Sequence, residues 1–132
     1  MSKSHLENRF IQTWNHVSDI VLEREVILIP DRKFRFDFVD YPSQIAIEIQ
    51  GGIWSKRKKG HNGGTGLERD YEKLNLAQLN GWKVFLLSES MISPAWLTMI
   101  ENCMLEIASP EVRKLQAIAK KVCPEVFEKE ND

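Results

Sequence analysis

Asp37 and Glu48 are the residues whose setting promises chemistry. Asp37 lies in Phe34-Arg35-Phe36-Asp37-Phe38 and Glu48 in Ile45-Ala46-Ile47-Glu48-Ile49-Gln50. Both stretches alternate apolar and polar residues, the period of a β-strand, in which successive side chains point to opposite faces. Ile45, Ile47 and Ile49 then share one face, and Ala46, Glu48 and Gln50 the other. Phe34, Phe36 and Phe38 likewise form an apolar face, with Arg35, Asp37 and Val39 opposite. A turn near Tyr41-Pro42-Ser43 joins the strands into a hairpin. Any register that buries the apolar faces together puts Asp37 and Glu48 on a shared face, directly opposite or on a diagonal. Their Cβ atoms are then roughly 5 to 8 Å apart. Two like charges that close are unfavourable unless neutralised, and a hard divalent cation with oxygen ligands neutralises them well. The same alternation also describes a half-buried hairpin with a solvated outer face, in which Arg35 pairs with Glu48 and no cation is needed.

The elements around the hairpin follow from capping signals and periodicity. Ser4-His5-Leu6-Glu7 has the form of a capping box, and Leu6, Phe10, Ile11, Trp14 and Val17 recur at helical spacing, predicting a helix over about 4–17. Glu25 to Ile29, stopped by Pro30, reads as a short and largely buried strand. After the hairpin comes a loop over 51–65 with five glycines and the run Lys56-Arg57-Lys58-Lys59. Thr65-Gly66-Leu67-Glu68 is a second capping box, opening a helix that stops at Asn80-Gly81. Lys83 to Leu87 is a strand, and Ser93-Pro94 and Ser109-Pro110 each cap a further helix. The first of these carries an apolar stripe of Trp96, Met99, Ile100, Cys103 and Ile107, the second one of Val112, Leu115, Ala119 and Val122. The order αβββαβ followed by two helices predicts an α/β fold with a mixed sheet, an antiparallel hairpin beside a parallel β-α-β crossover.

A chain of 132 residues is read as one domain, with a core over about 4–88 and C-terminal helices over about 93–123. Its 18 lysines and arginines nearly balance 19 aspartates and glutamates, for a formal net charge of −1. Such a chain is no polycation, so affinity for nucleic acid has to come from a local patch. Cys103 and Cys123 lack the spacing of a zinc site or a disulfide framework. The N-terminus has no apolar signal core and no run of about 18 apolar residues occurs, so no membrane partner is expected and the cytoplasm is the expected compartment.

With Asp on the second strand and Glu-x-Gln on the third, the chain resembles the PD-(D/E)XK nuclease superfamily. The stretch from Glu48 to Trp54, the loop histidine His61, the stretch from Gly66 to Asn75 and Gly81-Trp82-Lys83-Val84 look most like small phage, homing and very-short-patch-repair-like endonucleases. The likeness spans roughly 4–88. It implies a magnesium-dependent endonuclease acting on DNA, with manganese as a substitute, encoded by a phage or mobile element and working in the host cytoplasm. Asp37 and Glu48 become side-chain metal ligands and the Ile49 carbonyl a third. Phe36 stands where the motif has proline, and Gln50 where it has lysine. Gln50 is able to orient water but carries no charge. In this superfamily such a lysine is sometimes replaced from the following helix, which points to Lys73, and a catalytically silent nucleic-acid-binding relative is the alternative.

The remaining roles have structural counterparts. Glu7 is either a ligand of a second metal, as the resemblance implies, or the acid of a capping box. Glu68 has the same structural explanation. Lys73 neutralises phosphate charge or pairs with Asp70 one turn earlier, an interaction worth about 0.2 to 0.5 kcal/mol. His61 is an inert loop residue or, by resemblance, a general acid or phosphate contact. Trp54 with Lys56, Arg57, Lys58 and Lys59 reads as a DNA-binding flap. The loop lacks a GxxxxGK[ST] pattern, which sets aside a nucleotide cradle. A short chain cutting both strands symmetrically is expected to act as a homodimer or higher homo-oligomer. Preference among duplex, branched and single-stranded DNA is left open.

Overall fold

Residues 2–50 and 63–125 are described by a computed structural model of the chain, with side chains for 2–50 and 66–125. Along them run α1 (Lys3–Val17), β1 (Glu23–Ile27), β2 (Arg35–Asp40), β3 (Ile45–Ile49), α2 (Gly63–Leu79) and β4 (Lys83–Leu87). A 3-10 turn at Glu89–Met91 leads to α3 (Pro94–Ile107) and α4 (Pro110–Val122). The strands form one sheet in the order β1-β2-β3-β4. The first two pairings are antiparallel and the third parallel, so the mixed sheet expected from the element order is present. No helix among the described residues is long and apolar enough to cross a membrane.

Local chemistry explains the connections that fix this sheet. In the hairpin between β2 and β3, Asp40 accepts the Ser43 amide at 3.3 Å and the Ser43 hydroxyl, a side-chain-stabilised turn. At the end of α2, Gly81 takes a φ of 87°, which costs a glycine little. Its amide donates to Gln78 and the Trp82 amide to Ala77, closing the helix in a Schellman arrangement that also turns Trp82 into the core. The chain then enters β4 beside β3, as a β-α-β crossover requires.

Helices cover both faces. Leu6, Phe10 and Trp14 of α1 and Leu97, Ile100 and Met104 of α3 pack on Phe38, Ile45, Ile47, Ile49 and Leu87. On the other face Ala77 of α2 meets Phe36, Val39, Ala46 and Trp82, with Phe34 and Ile29 completing the cluster.

Four sequence expectations are corrected. Helix α1 starts at Lys3 with Ser2 as its cap, accepting the His5 amide at 3.2 Å, so the Ser4–Glu7 capping box is not formed. Helix α2 likewise starts at Gly63, ahead of its box, and Glu68 is exposed. Strand β1 lies two residues earlier than expected and is mostly exposed, because it forms a sheet edge while Ile29 leaves the ladder to enter the core. Finally, none of the residues of α4 is buried, and the apolar stripe Val112, Leu115 and Val122 is open to solvent. What anchors α4 is polar: Arg113 forks onto both oxygens of buried Asp40, at 2.9 and 2.7 Å, and donates to the Ala108 carbonyl at 2.7 Å.

Candidate metal centre

The site begins where the sheet opens. Strands β2 and β3 pair from Asp40↔Ile45 to Phe38↔Ile47, and one step further the ladder is replaced by side-chain bonds. The Asp37 amide donates to Glu48 Oε1 at 2.8 Å, and the Ile49 amide donates to Asp37 Oδ2 at 2.8 Å. Each carboxylate therefore caps the backbone of the other strand. On the far side of β2, Arg24 pairs with Phe38 and Val26 with Phe36, which leaves Glu25 opposite Asp37 with a φ of 53°. A positive φ at a non-glycine residue interrupts strand geometry. The consequence corrects the simple alternation: Phe36 belongs to the core under α2 and Phe38 to the core under α1, so the three phenylalanines do not share a face. Asp37 sits at the break between them.

Both acids are buried, Asp37 with 3% and Glu48 with 6% of its surface exposed, and each has a lysine. Lys3 of α1 reaches Asp37 Oδ1 at 3.1 Å, and Lys73 of α2 reaches Glu48 Oε2 at 2.8 Å. The counter-ions thus arrive from opposite layers to one opening in the sheet. Lys73 also donates to the Arg35 carbonyl and lies 4.5 Å from the centre of the Phe36 ring. Phe36 therefore provides an aromatic face for this ammonium. Among the described residues the ion pair of Glu48 is with Lys73 rather than Arg35, and Lys73 turns into the sheet instead of pairing with Asp70 along the helix.

Glu7 joins the same opening. It is 9% exposed, and its Oε1 has no hydrogen-bond partner among the described residues. Among the described residues the cation within ion-pair distance of that oxygen is Arg24, at 3.7 Å. With the Ser4 box unformed, capping no longer accounts for this acid. Carboxylate oxygens of Glu7, Glu25 and Asp37 all lie within 4.8 Å of one another, a spacing that suits one cation.

The electrostatics reflect this crowding. Burial, then the charge of Asp37, raises the Glu48 pKa, while Lys73 pulls the other way. Burial and Asp37 also raise Glu7, opposed by Lys3 and Arg24 and reinforced by Glu25. Burial disfavours the charged form of Lys3, but Asp37, Glu48 and Glu7 outweigh it and hold its pKa above the usual value. For an acid whose folded pKa lies above the ordinary 4.5, the protonated fold is the favoured one. That contribution is complete below 4.5 and is lost as pH rises through the folded value. At neutral pH the ionised Glu7 and Glu48 therefore oppose folding, while Lys3, with its raised pKa, favours it.

Glu7→Gln tests this directly. Without divalent metal the variant should melt higher than the wild type at neutral pH, with the difference shrinking towards pH 4. Added magnesium or manganese should stabilise the wild type more than the variant, because a bound ion stabilises only the state that holds it. Equal melting temperatures at neutral pH, or equal metal responses, in a fluorimetric scan would count against the cluster.

Ile49 enters through the hydrogen bond that its backbone N–H donates to Asp37. Gln50 follows β3 half-buried, its amide donating to Leu87 at 2.8 Å. His61, Trp54, Lys56, Arg57, Lys58 and Lys59 lie outside the described residues. Lys3, Arg24 and Glu25 were not anticipated. Lys3 is one helical turn before Glu7, an i,i+4 spacing that offered a signal. Glu25 offered none, since its approach depends on the break in β1. Comparison of the chain with protein-family models, with curated proteins and with solved structures finds no match.

Proposed function

We propose that this protein is a divalent-metal-dependent endonuclease that hydrolyses DNA phosphodiester bonds, built on a PD-(D/E)XK core over 4–88. One observation carries the reading: two buried acids, cross-bonded at the opening between β2 and β3, are met by a lysine from the following helix. Lys73 puts an ammonium where Gln50 leaves the strand without charge, which favours catalysis over a silent DNA-binding module.

The donor set fits a hard cation. It consists of carboxylates, and the buried Glu7 Oε1 is without a hydrogen-bond partner among the described residues. Asp37 and Glu48 would hold magnesium, with Glu7 and Glu25 beside Asp37 available to the same or a second ion. A magnesium ion held there would supply Lewis acidity, lowering the pKa of a water and offsetting charge on the scissile phosphate. The acids themselves repel a phosphate, so a bound cation would ease the approach of the scissile phosphate to them. The amides of Asp37 and Ile49 hold the two carboxylates in place, and Lys73 sets a fixed positive charge beside Glu48. Preorganised charge of this kind stabilises the anionic transition state without rearranging during the reaction. The biological role most in keeping with the resemblance is that of a site-specific, homing-type nuclease of a phage or mobile element.

Incubation with supercoiled plasmid tests the activity. Nicked or linear product should form with magnesium or manganese and be absent with chelator. Parallel branched and single-stranded substrates would reveal a structure-specific enzyme. DNA that is bound but left intact under every metal condition would instead identify a silent binding module.

A further inference from the structure

Helix α4 is folded onto the protein inside out. At 3.6 residues per turn, Leu115, Ile118 and Val122 fall within an arc of about 60°, and Arg113 and Lys120 lie roughly opposite them. The side turned to the protein is the polar one: Arg113 grips Asp40, and Gln116 is the other shielded residue of the helix interior. The apolar side faces out, with Leu115 65%, Ile118 58% and Val122 72% exposed. Scattered exposed leucines are ordinary, whereas a contiguous apolar stripe on a helix held by its polar face marks an interface.

We infer that α4 is the face through which two copies of this chain associate, the helices crossing antiparallel about a two-fold axis near Leu115 and Ile118. The charges choose both the occupant and the direction. Glu111 lies in line with the stripe at its N-terminal end, and Lys121 flanks it at the other end. An antiparallel pair brings Glu111 of one copy to the level of Lys121 of the other, twice by symmetry, and sets the helix dipoles head to tail. A parallel pair would oppose like charges at both ends. The contacts that fix α4, through Arg113 and Asp40, are away from the stripe, so pairing requires no refolding. The inference stands apart from the nuclease reading: it concerns assembly without DNA or metal and is measured without cleavage.

Sedimentation equilibrium of the full chain, from micromolar to near-millimolar concentration, should give twice the 15.3 kDa chain mass, dissociating on dilution. Leu115→Glu should leave the far-ultraviolet circular dichroism and melting temperature near wild type, since the residue is exposed, and shift the mass to a single chain. If that variant is less well folded, the charge pair decides the matter. Glu111→Lys and Lys121→Glu should each weaken association at least about tenfold, and together they should restore it. Tenfold corresponds to about 1.4 kcal/mol. A wild-type protein that stays single at all concentrations would overturn the inference and assign the stripe to a different partner. Dimers that persist in Leu115→Glu, or single charge reversals without effect, would overturn it as well.

Discussion

Asp37→Asn and Glu48→Gln should each lower magnesium-supported cleavage by roughly 10² to 10⁴, the range for loss of a positioned catalytic or electrostatic group. Both changes keep the size of the side chain and an oxygen that accepts the cross-strand amide, so the opening between β2 and β3 should survive. What disappears is charge. Asp37→Asn removes the ion pair with Lys3 and Glu48→Gln the one with Lys73, and in each case the cation-binding oxygens fall from two equivalent carboxylate atoms to one carbonyl. DNA binding measured without metal should hold or strengthen slightly, because one negative charge near the phosphates has gone. That combination, intact binding with lost turnover, separates a metal role from a folding defect. Wild-type cleavage rates in either variant would remove both acids from the chemistry.

Lys73→Met is expected to slow single-turnover cleavage by a comparable factor, roughly 10² to 10⁴. Methionine is a good helix former and its stem can still cover the Phe36 ring, so α2 should persist. The ammonium is the part removed, and with it the only cation on Glu48 within ion-pair distance among the described residues. Two roles then predict different results. A lysine that stabilises charge on the reacting phosphate leaves the rate low even at saturating magnesium. A lysine that merely compensates Glu48 in the absence of metal becomes dispensable once magnesium takes its place, and its removal strengthens metal binding. Gln50→Lys in the Lys73→Met background should recover part of the rate, since Gln50 follows Glu48 by two positions and strand alternation returns it to the same side. A wild-type rate for Lys73→Met would leave the lysine as a counter-ion only.

The sequence by itself determined the order of the elements, the hairpin, the crossover and the pairing of Asp37 with Glu48. These rest on short-range rules: period-two alternation, proline and glycine punctuation, and a turn that sets the register. Lys73 was pointed to by the resemblance alone, as a lysine on the helix that follows β3. Only the tertiary structure decided what Asp37 faces. Its strand loses alternation there because β1 brings Glu25 in at a positive φ and β3 exchanges backbone pairing for carboxylate bonds, and no local pattern encodes a distortion shared by three strands. The tertiary structure also chose among equivalent local signals. Ser2 and Ser4 are both competent caps, and it is the earlier start of α1 that carries Lys3 to Asp37. Burial was settled at the same level. An amphipathic stripe states that a helix has an apolar side but not what will cover it. In α4 the Arg113–Asp40 pair turned that side outward, because desolvated charges in good geometry fix orientation where apolar contact is non-directional.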